Sequence, residues 1–212
     1  MRKVIYGLTV ALSMGATAAS AATLDFVSYP NVNGEKGVAD GTVITFDGLD
    51  ATFTSSHFAY FDKSSPAEVA KGGGAGLGVC KVLTSTAQCN PASDDNLTAG
   101  ETVTLSFANA QVISGLKFNA DGHTALTSSI KTLTYAINGG AYQVISFADM
   151  MTKIFDKVTS ISFGYDGETG TVNQYYIAGA TAVAAVPLPA AGLLLAGALG
   201  GLGLARRRKR VA

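Results

Sequence analysis

Alternation of apolar and polar residues recurs along most of the chain and is the main guide to its fold. In the run TVTLSF at residues 102–107 every second residue is apolar, as expected of a strand with one buried face. Strand-like runs occur at residues 23–29, 42–46, 51–54, 79–83, 101–107, 111–118, 129–137, 142–147, 158–165 and 174–181. Short strands separated by turns pair antiparallel, so the pattern predicts an all-β fold, an antiparallel β-sandwich of jelly-roll type.

Two local patterns add detail to this fold. Asn138-Gly139 lies between two alternating runs and predicts a hairpin turn, which Gly140 can lengthen. Between residues 147 and 155, Met150 and Ile154 recur at helical spacing. That stretch predicts a short helix, or alternatively a loop packed beneath the sheets.

The start of the chain differs from the alternating region. Arg2 and Lys3 precede an apolar stretch, and small residues follow, ending with Ala-Ser-Ala at residues 19–21. That order is typical of a secretory signal peptide cleaved after Ala21, with an uncleaved membrane anchor as the alternative. We therefore expect residues 1–21 to be a signal peptide and the protein to be exported.

The end of the chain contains a second apolar segment. Residues 188–205 carry no charge and run directly into five basic residues at 206–210. Eighteen residues in a helix span about 27 Å, close to the roughly 30 Å hydrocarbon core of a bilayer. A transmembrane helix with the basic cluster on the cytoplasmic side is the expected structure, and a buried core helix is the alternative.

The motif that opens this segment resembles a known sorting signal. The residues are Val186, Pro187, Leu188, Pro189 and Ala190, followed by the sequence GLLLAG at 192–197 and the terminal Arg cluster. This order resembles the VPLPA-type PEP-CTERM signal of exported proteins in Gram-negative bacteria. The resemblance implies processing by exosortase, a membrane transpeptidase-like enzyme, near Pro187 to Pro189. It further implies a mature protein at the cell surface or in the extracellular polysaccharide matrix, and it implies no activity.

The chain therefore divides into a signal peptide (1–21), an exported β domain (22–184) and a sorting signal (185–212). The formal net charge of zero conceals this division, because seven of the fifteen basic residues lie in the two terminal segments. The residues between them hold eight lysines, no arginine and fifteen acids, a net charge of −7. An acidic body is unsuited to nucleic-acid phosphates and favours cations or neutral polymers as partners.

Cys80 and Cys89 both lie in the predicted exported domain. A pair of cysteines in an oxidising compartment predicts a disulfide. Metal binding is the competing interpretation, but the spacing is not Cys-x-x-Cys and no histidine is near in sequence.

Asp94, Asp95, Asn96 and Glu101 place four oxygen-bearing side chains within eight residues. Calcium takes six to eight oxygen ligands, so this loop is a candidate calcium site, although the EF-hand pattern is missing. The alternative is that Asp94 caps a turn, Asp95 and Asn96 face water, and Glu101 begins a strand.

No sequence motif indicates an enzyme. His57 and His123 are the only histidines, and the chain has no Gly-x-Ser-x-Gly, His-Glu-x-x-His or P-loop motif. We expect a non-enzymatic structural protein of the cell surface or matrix. The alternative is a carbohydrate-binding module with an aromatic platform, for which the candidates are Tyr60, Phe61 and Tyr175, flanked by His57, Phe58 and Tyr176. Exposure of these rings would favour binding, and burial would favour the structural role.

Overall fold

A computed structural model describes residues 20–70, 73–128, 130–165 and 174–185. The described residues form twelve strands and three short helices, and the strands dominate. The strands are β1 (Ala21–Asp25), β2 (Lys36–Val38), β3 (Thr42–Phe46), β4 (Leu49–Ser55), β5 (Phe58–Asp62), β6 (Gly76–Cys80), β7 (Leu97–Thr98), β8 (Thr102–Ala120), β9 (Thr132–Ile137), β10 (Gln143–Ser146), β11 (Phe155–Gly164) and β12 (Gln174–Ala184). The helices are α1 (Ser28–Asn33), α2 (Pro66–Ala70) and α3 (Phe147–Thr152). The prediction of an all-β fold is confirmed.

Backbone hydrogen bonds join the strands into one antiparallel network. The main path runs β10-β9-β11-β8-β12-β6-β5-β2. Four further pairings lie off this path, since β1 and β7 pair with β12, and β3 pairs with β4, which in turn pairs with β8. Every pairing is antiparallel, as the short, turn-separated strands predict.

Strand β8 is the longest and lies near the centre of the network. Its first part pairs with β4 and β11, and its second part pairs with β12. From Ser106 to Gln111 β8 advances by five residues, while the partner positions on β11 move only from Ser160 to Val158. Extra residues of this kind bend a strand. Strand β8 therefore has β4 and β11 as partners before this irregularity and β12 as a partner after it, while β11 remains paired as far as Ile113.

Aromatic rings fill much of the shared core. Phe26 packs edge to face on Phe46, with ring centroids 5.4 Å apart, and Phe53 packs in the same way on Phe61 at 5.3 Å. A second group of rings surrounds Phe118. Both groups of rings belong to one continuous cluster of buried residues. Apolar burial therefore holds together the strands that carry these rings.

The first and last described strands lie side by side. Strand β1 pairs with the end of β12, and Ala21 is opposite Val183. Neighbouring strands are about 4.8 Å apart. The chain therefore enters the domain at Ala21 and reaches Ala184 at the same end of the sheet.

The sequence pattern locates most of the strands but not all. Strand β3 has the predicted bounds, whereas the predicted runs 101–107 and 111–118 are parts of one strand, β8. Strand β5 has no counterpart among the predicted strands. Its residues are buried on both faces, so its apolar run shows no alternation.

The predicted helix and hairpin are both confirmed. Helix α3 occupies part of the predicted stretch, and the Ser146 side chain caps its start by accepting a hydrogen bond from the Asp149 backbone N–H. Asn138 and Gly139 both have positive φ, which is the requirement of a type I′ turn. Strand β10 begins only at residue 143, so the loop is longer than two residues.

The two terminal segments lie largely outside the described residues. These segments include the predicted transmembrane helix at 188–205 and the motif Val186, Pro187, Leu188, Pro189 and Ala190. Within the ranges that the structure does describe, none of the helices has the length and hydrophobicity needed to span a bilayer.

Candidate functional site

A polar cluster lies on the outer face of strands β5, β6 and β12. Pairing places Phe61 beside Leu77 on the core face, and the next pair, Tyr60 and Gly78, points to the opposite face. Strand β12 contributes Tyr176 to the cluster. Tyr60 and Tyr176 are nonetheless fully buried, so a second layer of chain must cover this face of the sheet.

The covering layer is the loop closed by the disulfide. Cys80 and Cys89 are bonded, which confirms the predicted disulfide. The Cys89 backbone N–H donates to the Tyr60 hydroxyl at 3.4 Å, and Gln88 donates to the backbone carbonyl of Glu35. The disulfide, Tyr60 and Leu83 form a small apolar cluster separate from the main core. The loop therefore covers the outer face of the sheet at Tyr60.

The segment that follows the disulfide loop, at residues 95–96, lies directly on the sheet at Gly78. A Cβ atom at Gly78 would be 2.1 Å from the Asp95 backbone oxygen and 2.6 Å from the Asn96 Cα. Both are backbone atoms, so a side chain at this position can be accommodated only by lifting the 95–96 segment away from β6. The sequence gives no sign of this close contact, because Gly78 is one of 25 glycines.

We expect Gly78→Ala to reduce the free energy of unfolding by about 2 kcal/mol, because overpacking moves backbone and not a flexible side chain. Gly122→Ala is the matched control, since a Cβ there would meet nothing within 4 Å. Urea unfolding of both variants measures the difference. Equal stability of the two variants would contradict the close contact.

Three carboxylates and one histidine lie around the buried tyrosines. The acid cluster, as we call it, consists of Glu35, Asp62, Asp95 and His123. The Tyr60 hydroxyl donates to Glu35 Oε1 at 2.5 Å, and the Tyr176 hydroxyl donates to Asp95 Oδ1 at 2.7 Å. Burial raises the pKa of both tyrosines above the ordinary value of 10.0, so both hydroxyls keep their protons and remain donors.

The carboxylates of the acid cluster are short of positive partners. Burial, reinforced by the carboxylates of Asp95 and Glu35, raises the pKa of Asp62 from 3.8 to about 7. Burial also raises the pKa of Asp95, against the opposing effect of the Tyr176 hydrogen bond. Within the described ranges no lysine forms an ion pair with these three acids. The cluster can therefore take up a proton near neutral pH.

His123 connects the acid cluster to helix α2. Its Nε2 lies 3.3 Å from Asp62 Oδ2, and its Nδ1 lies 2.9 Å from Glu68 Oε1 on the helix. The ring also packs edge to face on Tyr176, with centroids 5.5 Å apart. A protonated imidazole donates to both carboxylates at once. His123 therefore contacts three separate segments, those of Asp62, Glu68 and Tyr176. Neither the residues next to it in sequence nor its position in a turn predicts these contacts.

The four predicted calcium ligands have three different sets of partners. Lys81 Nζ lies 2.9 Å from Asp94 Oδ1 and 2.8 Å from Glu101 Oε1. Asp95 instead contacts Tyr176, and the Asn96 amide donates to Asp121 at 3.2 Å. An ammonium group thus stands between the two carboxylates that a cation would bridge. Hydrogen bonds that the Lys81 ammonium donates to Glu101 and Asp94 raise the pKa of Lys81, which keeps that ammonium charged.

The calcium site that the spacing of Asp94, Asp95, Asn96 and Glu101 predicts is therefore not formed by these side chains as the structure places them. Where the structure describes the chain, one group of three potential ligands has the closeness that a metal requires, and it consists of Cys80, Cys89 and Asp94. Its two sulfurs are bonded to each other, so they are not thiolates able to hold a metal.

The predicted aromatic platform is also not present at the surface. Tyr60, Phe61 and Tyr175 are each 0% exposed. Phe61 and Tyr175 belong to the main core, and Tyr60 lies beneath the disulfide loop. These rings are consequently unable to stack on a sugar from solvent, which removes the sequence-based support for a carbohydrate site at these residues.

A cleft of about 400 Å³ lies elsewhere, beside the middle of β12. Its floor is formed by parts of β8 and β12, and one wall is formed by the end of β1 and the turn that follows. None of the residues singled out in the sequence lines it. The sequence pattern predicts neither the cleft nor the acid cluster.

No protein-family model, curated protein or solved structure matches the chain. Its function is therefore argued from the terminal motifs and the geometry of the domain.

Proposed function

We propose that the protein is a non-enzymatic structural component of the cell surface or extracellular matrix, exported by its signal peptide and sorted by exosortase. The signal peptide and the sorting motif carry the argument from sequence. The observation from structure that supports it best is the pairing of β1 with the end of β12, where Ala22, the first residue of the predicted mature domain, is opposite Ala182.

This pairing matters because the predicted precursor has a membrane-directed segment at each end. Both segments join the domain at one end of the sheet, so both can reach the same membrane face without unfolding any strand. Tyr176 and the acid cluster lie toward the other end of β12, about seven residues or roughly 23 Å along the strand from Val183. The tethered domain would present that end away from the membrane.

The disulfide and the charge of the domain agree with this proposal. Buried disulfides persist in oxidising compartments outside the cytoplasm. Eight lysines against fifteen acids leave the middle of the chain acidic, and an acidic surface keeps copies soluble and apart.

We also propose that the strands form a β-sandwich of jelly-roll type. The bend of β8 between Ser106 and Gln111 supports this, because a bent strand is the usual corner by which a chain passes from one layer to another. The continuous core, which includes residues from strands on both sides of the bend, fits two packed layers.

Sorting can be tested by changing the motif alone. In a Gram-negative host that contains exosortase, we expect the natural protein in the surface or extracellular fraction. Replacing Pro187 and Pro189 with Ala should leave an unprocessed protein in the inner-membrane fraction. Pro66→Ala, an exposed proline at the start of α2, is the control and should behave as the natural protein. An unchanged distribution of the double variant would refute sorting through this motif.

A further inference from the structure

We propose that the cleft beside β12 is a binding site for an acidic sugar, a hydroxyl-rich ligand of one or two rings that carries a carboxylate. The proposal is independent of how the protein is sorted. It rests on the size of the cleft, the way the strands build it, and the chemistry of its lining.

The cleft has the dimensions of a ligand site. Its volume of about 400 Å³ falls within the 300 to 1,000 Å³ that is usual for small-molecule sites. The walls come from four separate parts of the chain: the β1 end, Val69 of helix α2 with Gly73, the residues after β8, and helix α3. Such a cleft is held open by the fold and not by a single loop.

The floor of the cleft contains two irregularities in the pairing of β8 with β12. Between the pairs Gly179–Lys117 and Thr181–Ser114, β8 advances by three residues and β12 by two. Gly115, inside this bulge, has a φ of +58°, which is the left-handed conformation that glycine tolerates best. In a second shift, between Ile177 and Gly179, the extra residue is on β12, which advances by two residues while β8 advances by one. Paired bulges beside a cleft redirect side chains into it, as they commonly do near functional sites.

Hydroxyl groups without partners line the cleft. They belong to Thr23, Ser28, Thr127 and Thr181. None of these four hydroxyls makes a hydrogen bond within the described ranges of the chain. Apolar side chains, including Val27 and Met151, lie among them. Alternating hydroxyl and apolar surface suits a sugar, which presents both hydroxyl groups and C–H faces.

Lys117 adds a positive charge to this lining. Its side chain is exposed, and it forms no ion pair with any acid that the structure describes. The cleft also contains one carboxylate, Asp25, whose Oδ1 accepts hydrogen bonds from the backbone N–H groups of Val27 and Ser28. These bonds hold Asp25 against its own turn, whereas the Lys117 ammonium has no carboxylate partner among the described residues. A carboxylate on the ligand gains a charge-assisted hydrogen bond from Lys117 that a neutral sugar lacks.

Calorimetric titration of the full chain tests this assignment. The detergent should be a polyoxyethylene type, because sugar detergents would compete. The probes are a disaccharide that contains one glucuronate and its neutral glucose counterpart. We expect saturable binding of the acidic disaccharide, about tenfold tighter than that of the neutral one, since a charge-assisted hydrogen bond has roughly that effect.

Two variants locate the binding. Lys117→Gln should weaken the binding of the acidic disaccharide by about tenfold and leave the affinity for the neutral one unchanged. Thr181→Val, which removes a hydroxyl with little change of shape, should weaken both. Lys157→Gln is the control, because it removes the same charge from an exposed residue outside the cleft. Equal affinity of the natural protein and Lys117→Gln, or no binding at millimolar concentration, would overturn the proposal. Tighter binding of the neutral probe would overturn the acidic class.

Discussion

Removing the disulfide by Cys80→Ala and Cys89→Ala is expected to lower the free energy of unfolding by about 3 kcal/mol. The bond joins residues nine apart in sequence, and closing a loop of that length removes conformational freedom from the unfolded chain. A loss of this size is a large fraction of the 5 to 15 kcal/mol that is typical of a domain. Urea unfolding of the full chain in detergent measures it.

The structure also predicts where this loss would appear first. The disulfide loop covers Tyr60, and the Cys89 backbone N–H bonds its hydroxyl. Without the bond, amide hydrogens of residues 81–96 should exchange faster at denaturant concentrations that leave β8 and β12 protected. Treatment of the natural protein with dithiothreitol is the control and should reproduce both effects. A reduced protein as stable as the oxidised one would contradict the role given to the loop.

Asp62→Asn should stabilise the protein above pH 7. The side chain of Asp62 is 8% exposed, and burial raises its pKa from 3.8 to about 7. Between these two values the folded protein holds the proton more tightly than the unfolded chain does. The contribution of Asp62 to stability is therefore present below pH 4, declines as the pH rises to 7, and stays unfavourable at higher pH.

Asparagine carries no charge. The stability of the variant should therefore not fall at this position as the pH rises from 4 to 7. We expect a gain of up to about 4 kcal/mol at pH 8 and little gain at pH 4, because the pKa of Asp62 is about 7 in the folded protein and 3.8 in the unfolded chain. Loss of the contact between Asp62 and His123 Nε2 will reduce the gain. Asp156→Asn, at an exposed position on β11, is the matched control and should change stability little at either pH.

The same experiment separates two accounts of the acid cluster. If the contact between Asp62 and His123 dominated, the asparagine variant would be less stable than the natural protein at neutral pH. If burial among Asp95 and Glu35 dominates, as the geometry indicates, the variant is more stable. Urea unfolding at pH 4, 6 and 8 distinguishes them.

The fold was largely accessible from sequence because most strands have one buried face. Strand β3 alternates and has the predicted bounds, and the Asn138-Gly139 pair correctly marks a hairpin. Strand β5 is buried on both faces, so alternation, the signal that identifies the other strands, is missing from it. The continuity of β8 is hidden for a different reason, since exposed residues at its bend resemble a break between two strands.

The acid cluster could not be predicted because the residues that form it are far apart in sequence. Glu35, Asp62 and Asp95 come from three segments that the fold brings together around Tyr60 and Tyr176. Conversely, the acids close together in sequence divide between two partners, since Asp94 and Glu101 both contact Lys81 and Asp95 contacts Tyr176. Proximity along the chain gave the candidate calcium site, and the contacts of the folded chain assign its members to other partners.

The central claim is that this acidic β domain is exported, oxidised and released from both of its terminal segments. The most direct test is the intact mass of the protein isolated from a Gram-negative cell that contains exosortase. We predict a mature chain that begins at Ala22 and ends within the motif at 186–190, with Cys80 and Cys89 bonded. A protein of all 212 residues with free thiols, found in the cytoplasm, would contradict the account.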